Sequence, residues 1–180
     1  MIKLASILQE IGDATNPVPY TKTSEKETKY ETVLNYEFSI DKDTYIVTAY
    51  VSDMDRTLPS SSNQPKGSTG MQIMFGLKTE KYSGIVGDTS RTNRGVQYKV
   101  MSTITKILKD YIAKHPELAR IDYEPVKKSK EDQGRTKLYR AYVTKALPNW
   151  NYREDDYGWV RVEKPPQEKP KTGFFKTLFK

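Results

Sequence analysis

Arg94-Gly95-Val96-Gln97 opens the stretch that decides the fold, and Arg135-Thr136-Lys137-Leu138-Tyr139 begins its last part. From Tyr98 onward, apolar residues recur every three or four positions, which predicts a long amphipathic helix. This helix ends at His115-Pro116, because the residue before a proline disfavours helical backbone. Residues 118–123 then predict a short buried strand, followed by a second helix that starts at Arg135. The order loop, helix, strand, helix indicates an α+β fold.

Strands are predicted on both sides of this stretch. Apolar and polar residues alternate over residues 34–40 and 45–51, which is typical of half-buried strands. The turn residues 41–43 lie between these two segments, so we expect an antiparallel hairpin. A third strand is predicted over residues 71–77 and a last strand over residues 157–163.

Three segments follow from the composition along the chain. Residues 1–29 predict an amphipathic helix, near residues 2–12, and a polar linker. Residues 30–163 hold the predicted α+β domain. Residues 164–180 predict a flexible tail, made of a Pro/Lys-rich linker and an apolar anchor peptide at the C-terminus.

Composition narrows the classes of function. The 180 residues include no cysteine and one histidine, which excludes disulfides and makes a zinc site improbable, so we predict no metal site. Lysine and arginine outnumber acidic residues 30 to 23, giving a net charge of +7. This excess is typical of a solvated basic surface and also permits nucleic acid as a partner. No apolar run is long enough to predict a transmembrane segment, and the N-terminus does not read as a signal peptide.

Over about residues 30–163, the order of elements resembles the core of GNAT-type N-acetyltransferases. The resemblance implies a mixed, largely antiparallel sheet flanked by helices. In that family an Arg/Gln-x-x-Gly-x-Gly/Ala loop binds the acetyl-CoA pyrophosphate at a helix N-terminus. The corresponding cofactor residues here are Arg94, Gly95, Val96 and Gln97, with Gly95 as the central glycine. Thr92 replaces the first Arg/Gln of the motif, and Gln97 replaces the final Gly/Ala.

The resemblance also implies a catalytic residue. The family places a tyrosine on the helix that follows, where it acts as the general acid toward the CoA thiolate. Tyr139 has the corresponding position. It also belongs to the apolar stripe of the second predicted helix, so a packing role is the alternative.

The same pattern is similar to a group of uncharacterised tailed-phage proteins with a GNAT-like core. In these proteins a glycine opens the long helix, as Gly95 does here, and an Arg-x-x-Leu-Tyr-like motif opens the next, as Arg135 and Leu138-Tyr139 do. The resemblance implies a phage protein located in the host cytoplasm or the virion.

Three functions remain open at this point. The first is a non-catalytic binding or assembly protein, virion-associated or accessory, that needs no cofactor. Its protein partner would bind the C-terminal tail, and the N-terminal helix is a second candidate surface. The alternative is an acetyl-CoA-dependent N-acetyltransferase, and a second alternative is a basic nucleic-acid-binding accessory protein. The partner-binding residues predicted in the tail are Phe174, Phe175, Leu178 and Phe179.

Overall fold

Eight strands and two helices make up the part of the chain that the computed structural model describes. That part comprises residues 16–54, 66–79, 82–86, 96–124, 134–156 and 158–165. The predicted N-terminal helix and C-terminal tail lie outside it. The elements in chain order are β1 Tyr20–Glu27, β2 Glu31–Ile40, β3 Asp43–Asp53, β4 Thr69–Thr79, β5 Tyr82–Val86, α1 Val96–Lys114, β6 Leu118–Tyr123, α2 Gly134–Ala146, β7 Asn151–Glu154 and β8 Val160–Glu163.

All eight strands belong to one sheet, in the order β1-β2-β3-β4-β6-β8-β7, with β5 paired to β4. Every pairing among them is antiparallel except that of β4 with β6, which is parallel. Helix α1 lies between these two strands in the chain, as a parallel connection requires. The predicted α+β class with a largely antiparallel sheet is therefore confirmed. Neither described helix is long and apolar enough to cross a membrane.

The predicted hairpin is present as β2 and β3. The two strands pair from Glu31 opposite Ser52 to Ile40 opposite Asp43, with a tight turn between them. Asp41 in this turn has a φ of 55°, in the left-handed region. Aspartate tolerates this backbone conformation better than most side chains do, which suits it to the turn.

The N-terminal boundary predicted for the α+β domain, at residue 30, was wrong. Residues 13–29 were predicted as a linker, but Tyr20–Glu27 forms strand β1, which pairs with β2 at the edge of the sheet. Seven of its eight residues are exposed, so the strand carries no apolar alternation that sequence reasoning could detect. The domain therefore begins before residue 30.

Two hydrogen bonds attach this N-terminal segment to α1. The hydroxyl of Tyr20 donates to Oδ2 of Asp110 at 2.7 Å, and the backbone N–H of Val18 donates to Oγ1 of Thr103 at 3.0 Å. The same aspartate also forms an ion pair with Lys106 at 2.8 Å. The hydrogen bond from Lys106 and, to a smaller extent, the hydrogen bond from Tyr20 hold the pKa of the Asp110 carboxyl below its ordinary value.

The core lies between one face of the sheet and the two helices. The apolar residues that alternate along the predicted strands point into the core. Helix α1 contributes the apolar face that its sequence predicts. The buried residues include Leu34, Val47, Ile73, Ile121 and Val162 from the sheet, Val100, Met101, Ile104, Ile107 and Leu108 from α1, and Val143 from α2. The opposite face of the sheet, called here the open face, carries polar and charged residues.

The Tyr20–Asp110 hydrogen bond provides a test of how β1 is attached. We expect Tyr20→Phe to lower the free energy of unfolding by about 0.5–1 kcal/mol at pH 7, because a hydrogen bond to a partly exposed carboxylate is lost. The difference should shrink as the pH falls through the lowered pKa of Asp110, since protonation removes the charged acceptor. Urea unfolding at several pH values measures this. Tyr30→Phe, at a side chain that is 67% exposed, is the control; equal losses in both variants would contradict the attachment.

Candidate functional site

Strands β4 and β6 pair over only part of their length. Their parallel register runs from Thr69 opposite Leu118 to Gln72 opposite Asp122. Farther along β4, Leu77 and Thr79 pair with β5 instead. The pairing ends there because β6 itself ends at Tyr123, whereas β4 continues to Thr79. We call the helix-bearing face at this point, between Phe75 of β4 and Tyr123 of β6, the β4–β6 split.

The ring of Tyr139 fills this split. Tyr139 lies in the second turn of α2, with its ring centroid 5.3 Å from that of Phe75 on β4 and 6.3 Å from that of Tyr123 on β6. The interplanar angles are 60° and 59°, within the range of tilted aromatic packing. The side chain is partly buried against the core. The predicted catalytic tyrosine is thus packed between a side chain of β4 and a side chain of β6.

Tyr123, behind this ring, is one of the most buried tyrosines. Its side chain is 4% exposed, and burial, followed by the nearby Tyr152 hydroxyl, raises the pKa of its phenol. Within the described residues, neither hydroxyl has a partner that meets hydrogen-bond geometry. Both phenols therefore stay protonated at neutral pH and serve as packing groups.

Two of the four predicted cofactor residues are described. Val96 and Gln97 are the first residues of α1, and Val96 packs against the core. The first turn of α1 carries no acidic residue, so its free backbone N–H groups face no carboxylate of their own turn. Arg94 and Gly95 lie outside the described residues.

The start of α1 lies beside α2. The two helices pack against each other, and burial, followed by the neighbouring Tyr98, raises the pKa of Tyr142. Tyr142 is one helical turn beyond Tyr139. The structure therefore brings the start of α1 toward the helix that carries Tyr139.

The tail residues Phe174, Phe175, Leu178 and Phe179 lie outside the described residues. His115 is described and has the structural role expected at a helix end. Its backbone N–H donates to the Tyr111 carbonyl at 3.0 Å, and its ring stacks on the Tyr111 ring with centroids 4.1 Å apart. Nδ1 of the same ring lies 3.0 Å from Oε1 of Glu117. In the described ranges, no group of three His, Cys, Asp or Glu residues could hold a metal ion.

A second candidate site, on the open face, was not predicted. It is a cavity of about 630 Å³ that lies over the paired ends of β4 and β6. Its floor contains Arg120 and Asp122 of β6 with Gly70 and Gln72 of β4. The full lining is Glu31, Tyr50, Ser52, Gly70, Met71, Gln72, Arg120, Asp122, Arg153, Glu154, Asp155, Trp159 and Arg161.

The residues of this cavity align because of strand register. Gln72 is opposite Asp122, Asp122 is opposite Arg161, and Arg161 is opposite Arg153. Two charged residues at alternate positions of β6, Arg120 and Asp122, were the signal for this row. Sequence reasoning missed it because strand β7 was not predicted and the strand order was unknown.

The packing of Tyr139 is testable by truncation. We expect Tyr139→Ala to lower the free energy of unfolding by about 2–4 kcal/mol, because it leaves a cavity between Phe75 and Tyr123. Tyr139→Phe keeps the ring and should retain most of that stability. Chemical denaturation of the three proteins checks this. A loss below about 0.5 kcal/mol in Tyr139→Ala, the size typical of surface positions, would show that the ring does not fill the split.

Comparison of this chain with protein-family models, with curated protein sequences and with the solved structures found no match. No activity or partner is therefore transferred from a relative.

Proposed function

We propose that this chain is a non-catalytic binding and assembly protein on a GNAT-like scaffold, of the phage type that its sequence resembles. The observation that carries the proposal is the packing of the Tyr139 ring between Phe75 and Tyr123. In this reading Tyr139 is a structural residue, and the protein acts through its surfaces and its C-terminal tail.

The topology supports the GNAT-like scaffold. One parallel pair, β4 with β6, interrupts an otherwise antiparallel sheet, and α1 connects its two members. Helix α2 follows β6 and carries Tyr139 at the point where the parallel pairing ends. This arrangement agrees with the order of elements on which the resemblance was based. Because fold does not determine function, the scaffold alone leaves the activity open.

The chemistry of the split favours a protein without transferase activity. The Tyr139 ring packs against Phe75 and Tyr123, and this packing gives the residue a structural role that needs no cofactor. The predicted pyrophosphate loop also departs from the family pattern at Thr92 and Gln97. Gln97 has a side chain where a close backbone approach needs a small residue.

The acetyl-CoA-dependent N-acetyltransferase is the second candidate. It is favoured by the position of Tyr139 on α2 at the end of the parallel pairing, with the first turn of α1 close to Tyr142. In this case Tyr139 would donate its proton to the thiolate, and the amides around Gly95 and Val96 would bind the pyrophosphate.

A thermal-shift titration separates the two candidates. We expect acetyl-CoA at millimolar concentration to leave the melting temperature within 1 °C of the value in matched ADP, roughly the reading error of such a scan. The ADP control matters because any polyanion can stabilise a protein of net charge +7. A cofactor at 100 times its Kd would add about 2.7 kcal/mol, equivalent to several degrees. A shift of that size with acetyl-CoA and not with ADP would overturn the non-catalytic proposal.

The tail provides the second test. We expect replacement of Phe174, Phe175, Leu178 and Phe179 by serine to abolish recovery of the protein partner, because these residues supply the apolar contact. Affinity purification from cells that produce the source virus, followed by quantitative mass spectrometry, measures recovery. The control replaces Lys176 and Lys180 by serine and keeps the apolar residues. Equal partner recovery from both variants would remove the tail as the binding element.

A further inference from the structure

The most unusual charged group in the described chain is Arg120, in the floor of the open-face cavity. The residue is 8% exposed, so its guanidinium is almost completely removed from water. Its Nε lies 2.8 Å from Oδ2 of Asp122. Neither Nε nor Nη1 makes a hydrogen bond of adequate geometry within the described part of the chain. A buried guanidinium with unused donors is costly unless another group satisfies it.

The one carboxylate beside Arg120 is shared. Oδ1 of Asp122 accepts a hydrogen bond from Nε of Arg161 at 2.9 Å, while Oδ2 faces Arg120. Arg153 lies directly opposite Arg161 on the neighbouring strand. Two guanidinium groups, those of Arg120 and Arg161, therefore share a single carboxylate at the base of the cavity. The three groups together leave one positive charge in excess at this point.

The backbone of β4 makes room for this cluster. Gly70 is opposite Arg120, and a Cβ on Gly70 would lie 3.5 Å from both Nε and Nη2 of the guanidinium. The guanidinium thus covers the glycine at van der Waals distance. The absence of a side chain at Gly70 therefore leaves the space over β4 that this planar group occupies.

Aromatic rings stand at the two ends of the cavity. Tyr50 lies on β3 and Trp159 immediately precedes β8, and both are partly exposed. Strands β3, β4, β6 and β8 are consecutive in the sheet, so the cavity spans about 14 Å at a spacing of about 4.8 Å per strand. Its volume of about 630 Å³ lies within the range of small-molecule sites.

Acidic residues at the margin restrict the size of the occupant. Glu31, Glu154 and Asp155 also line the cavity, and Asp155 accepts the backbone N–H of Trp159 at 2.9 Å. These carboxylates would repel the successive phosphates of a nucleic-acid strand that crossed the margin. A compact ligand with one anionic group avoids them and reaches the arginines in the floor.

We propose that the open-face cavity binds a small organic anion. Its phosphate or carboxylate accepts hydrogen bonds from Arg120 and Arg161, and its planar part packs against Trp159 or Tyr50. Guanidinium groups suit this role because their paired N–H donors match the oxygens of phosphate and carboxylate. The site lies on the face opposite the β4–β6 split, so it stands independently of the function proposed above.

The experiment uses Trp159 as a reporter. The chain has two tryptophans, and Trp150→Phe leaves Trp159 as the only one. The full-length Trp150→Phe protein is titrated at low ionic strength with phenyl phosphate, benzoate and inorganic phosphate. We expect a saturable change in fluorescence with a Kd of about 1 mM or tighter for phenyl phosphate or benzoate, and weaker binding of inorganic phosphate. Tighter binding of phenyl phosphate than of benzoate identifies phosphate as the preferred anion, and the reverse order identifies carboxylate.

Variants assign the binding to the arginines. Arg120→Met should weaken binding at least about 10-fold, because it removes the buried donors. Arg161→Gln, at a side chain that is 47% exposed, should weaken it about 3- to 10-fold and carries little risk to folding. The matched control is Arg140→Gln, which makes the same charge change on α2, where the guanidinium stacks on Tyr152. Circular dichroism verifies that each variant is folded.

Two results would overturn the proposal. One is the absence of saturable binding of all three anions by folded Trp150→Phe protein. The other is an equal loss of affinity in Arg161→Gln and Arg140→Gln, since this would show general charge screening and no site. If Arg120→Met does not fold, the comparison of Arg161→Gln with Arg140→Gln decides the question alone.

Discussion

The short parallel pairing of β4 with β6 is the contact on which the rest of the structure depends. On one side of it, β1 to β4 form an antiparallel unit, and on the other side β6, β8 and β7 form a second. The residues from Thr69 to Gln72 and from Leu118 to Asp122 alone join the two units into one sheet in the described chain. A parallel pair cannot be closed by a tight turn, so α1 must supply the connection. The apolar face of α1 is buried in the core, and this burial holds the connection between β4 and β6 in place.

This one pairing also creates both candidate sites. Successive side chains of a strand point to opposite faces of the sheet, so neighbouring residues of β4 and β6 lie on opposite faces. Met71 and Ile121 face the core, where the Tyr139 ring packs near the end of the pairing. Gly70 and Arg120 face the other way, where the charged cavity lies. A packed aromatic cluster and a charged arginine cluster are thus built around neighbouring residues of the same two strands.

Much of the fold could be predicted, because its elements carry strong periodic signals. The α1 stripe, the β2–β3 hairpin and the buried strand β6 were all predicted near their observed bounds. Strands β1 and β7 were missed since their side chains are mostly exposed and show no apolar alternation. The open-face cavity depends on a register across four strands, and no local pattern encodes which strands become neighbours. Tyr139 was singled out from sequence, yet only its ring contacts show that it packs between two strands.

The two ends of the main sheet have a consequence for assembly. Strand β1 at one end carries Lys22, Glu25 and Lys26 along an almost fully exposed surface, and β7 at the other end is only four residues long. A charged edge and a short edge both discourage the backbone of another chain from adding a further strand. These two edges therefore disfavour edge-to-edge growth into fibres. Association at either of these two ends would use side-chain surfaces, where its geometry and its extent can be limited.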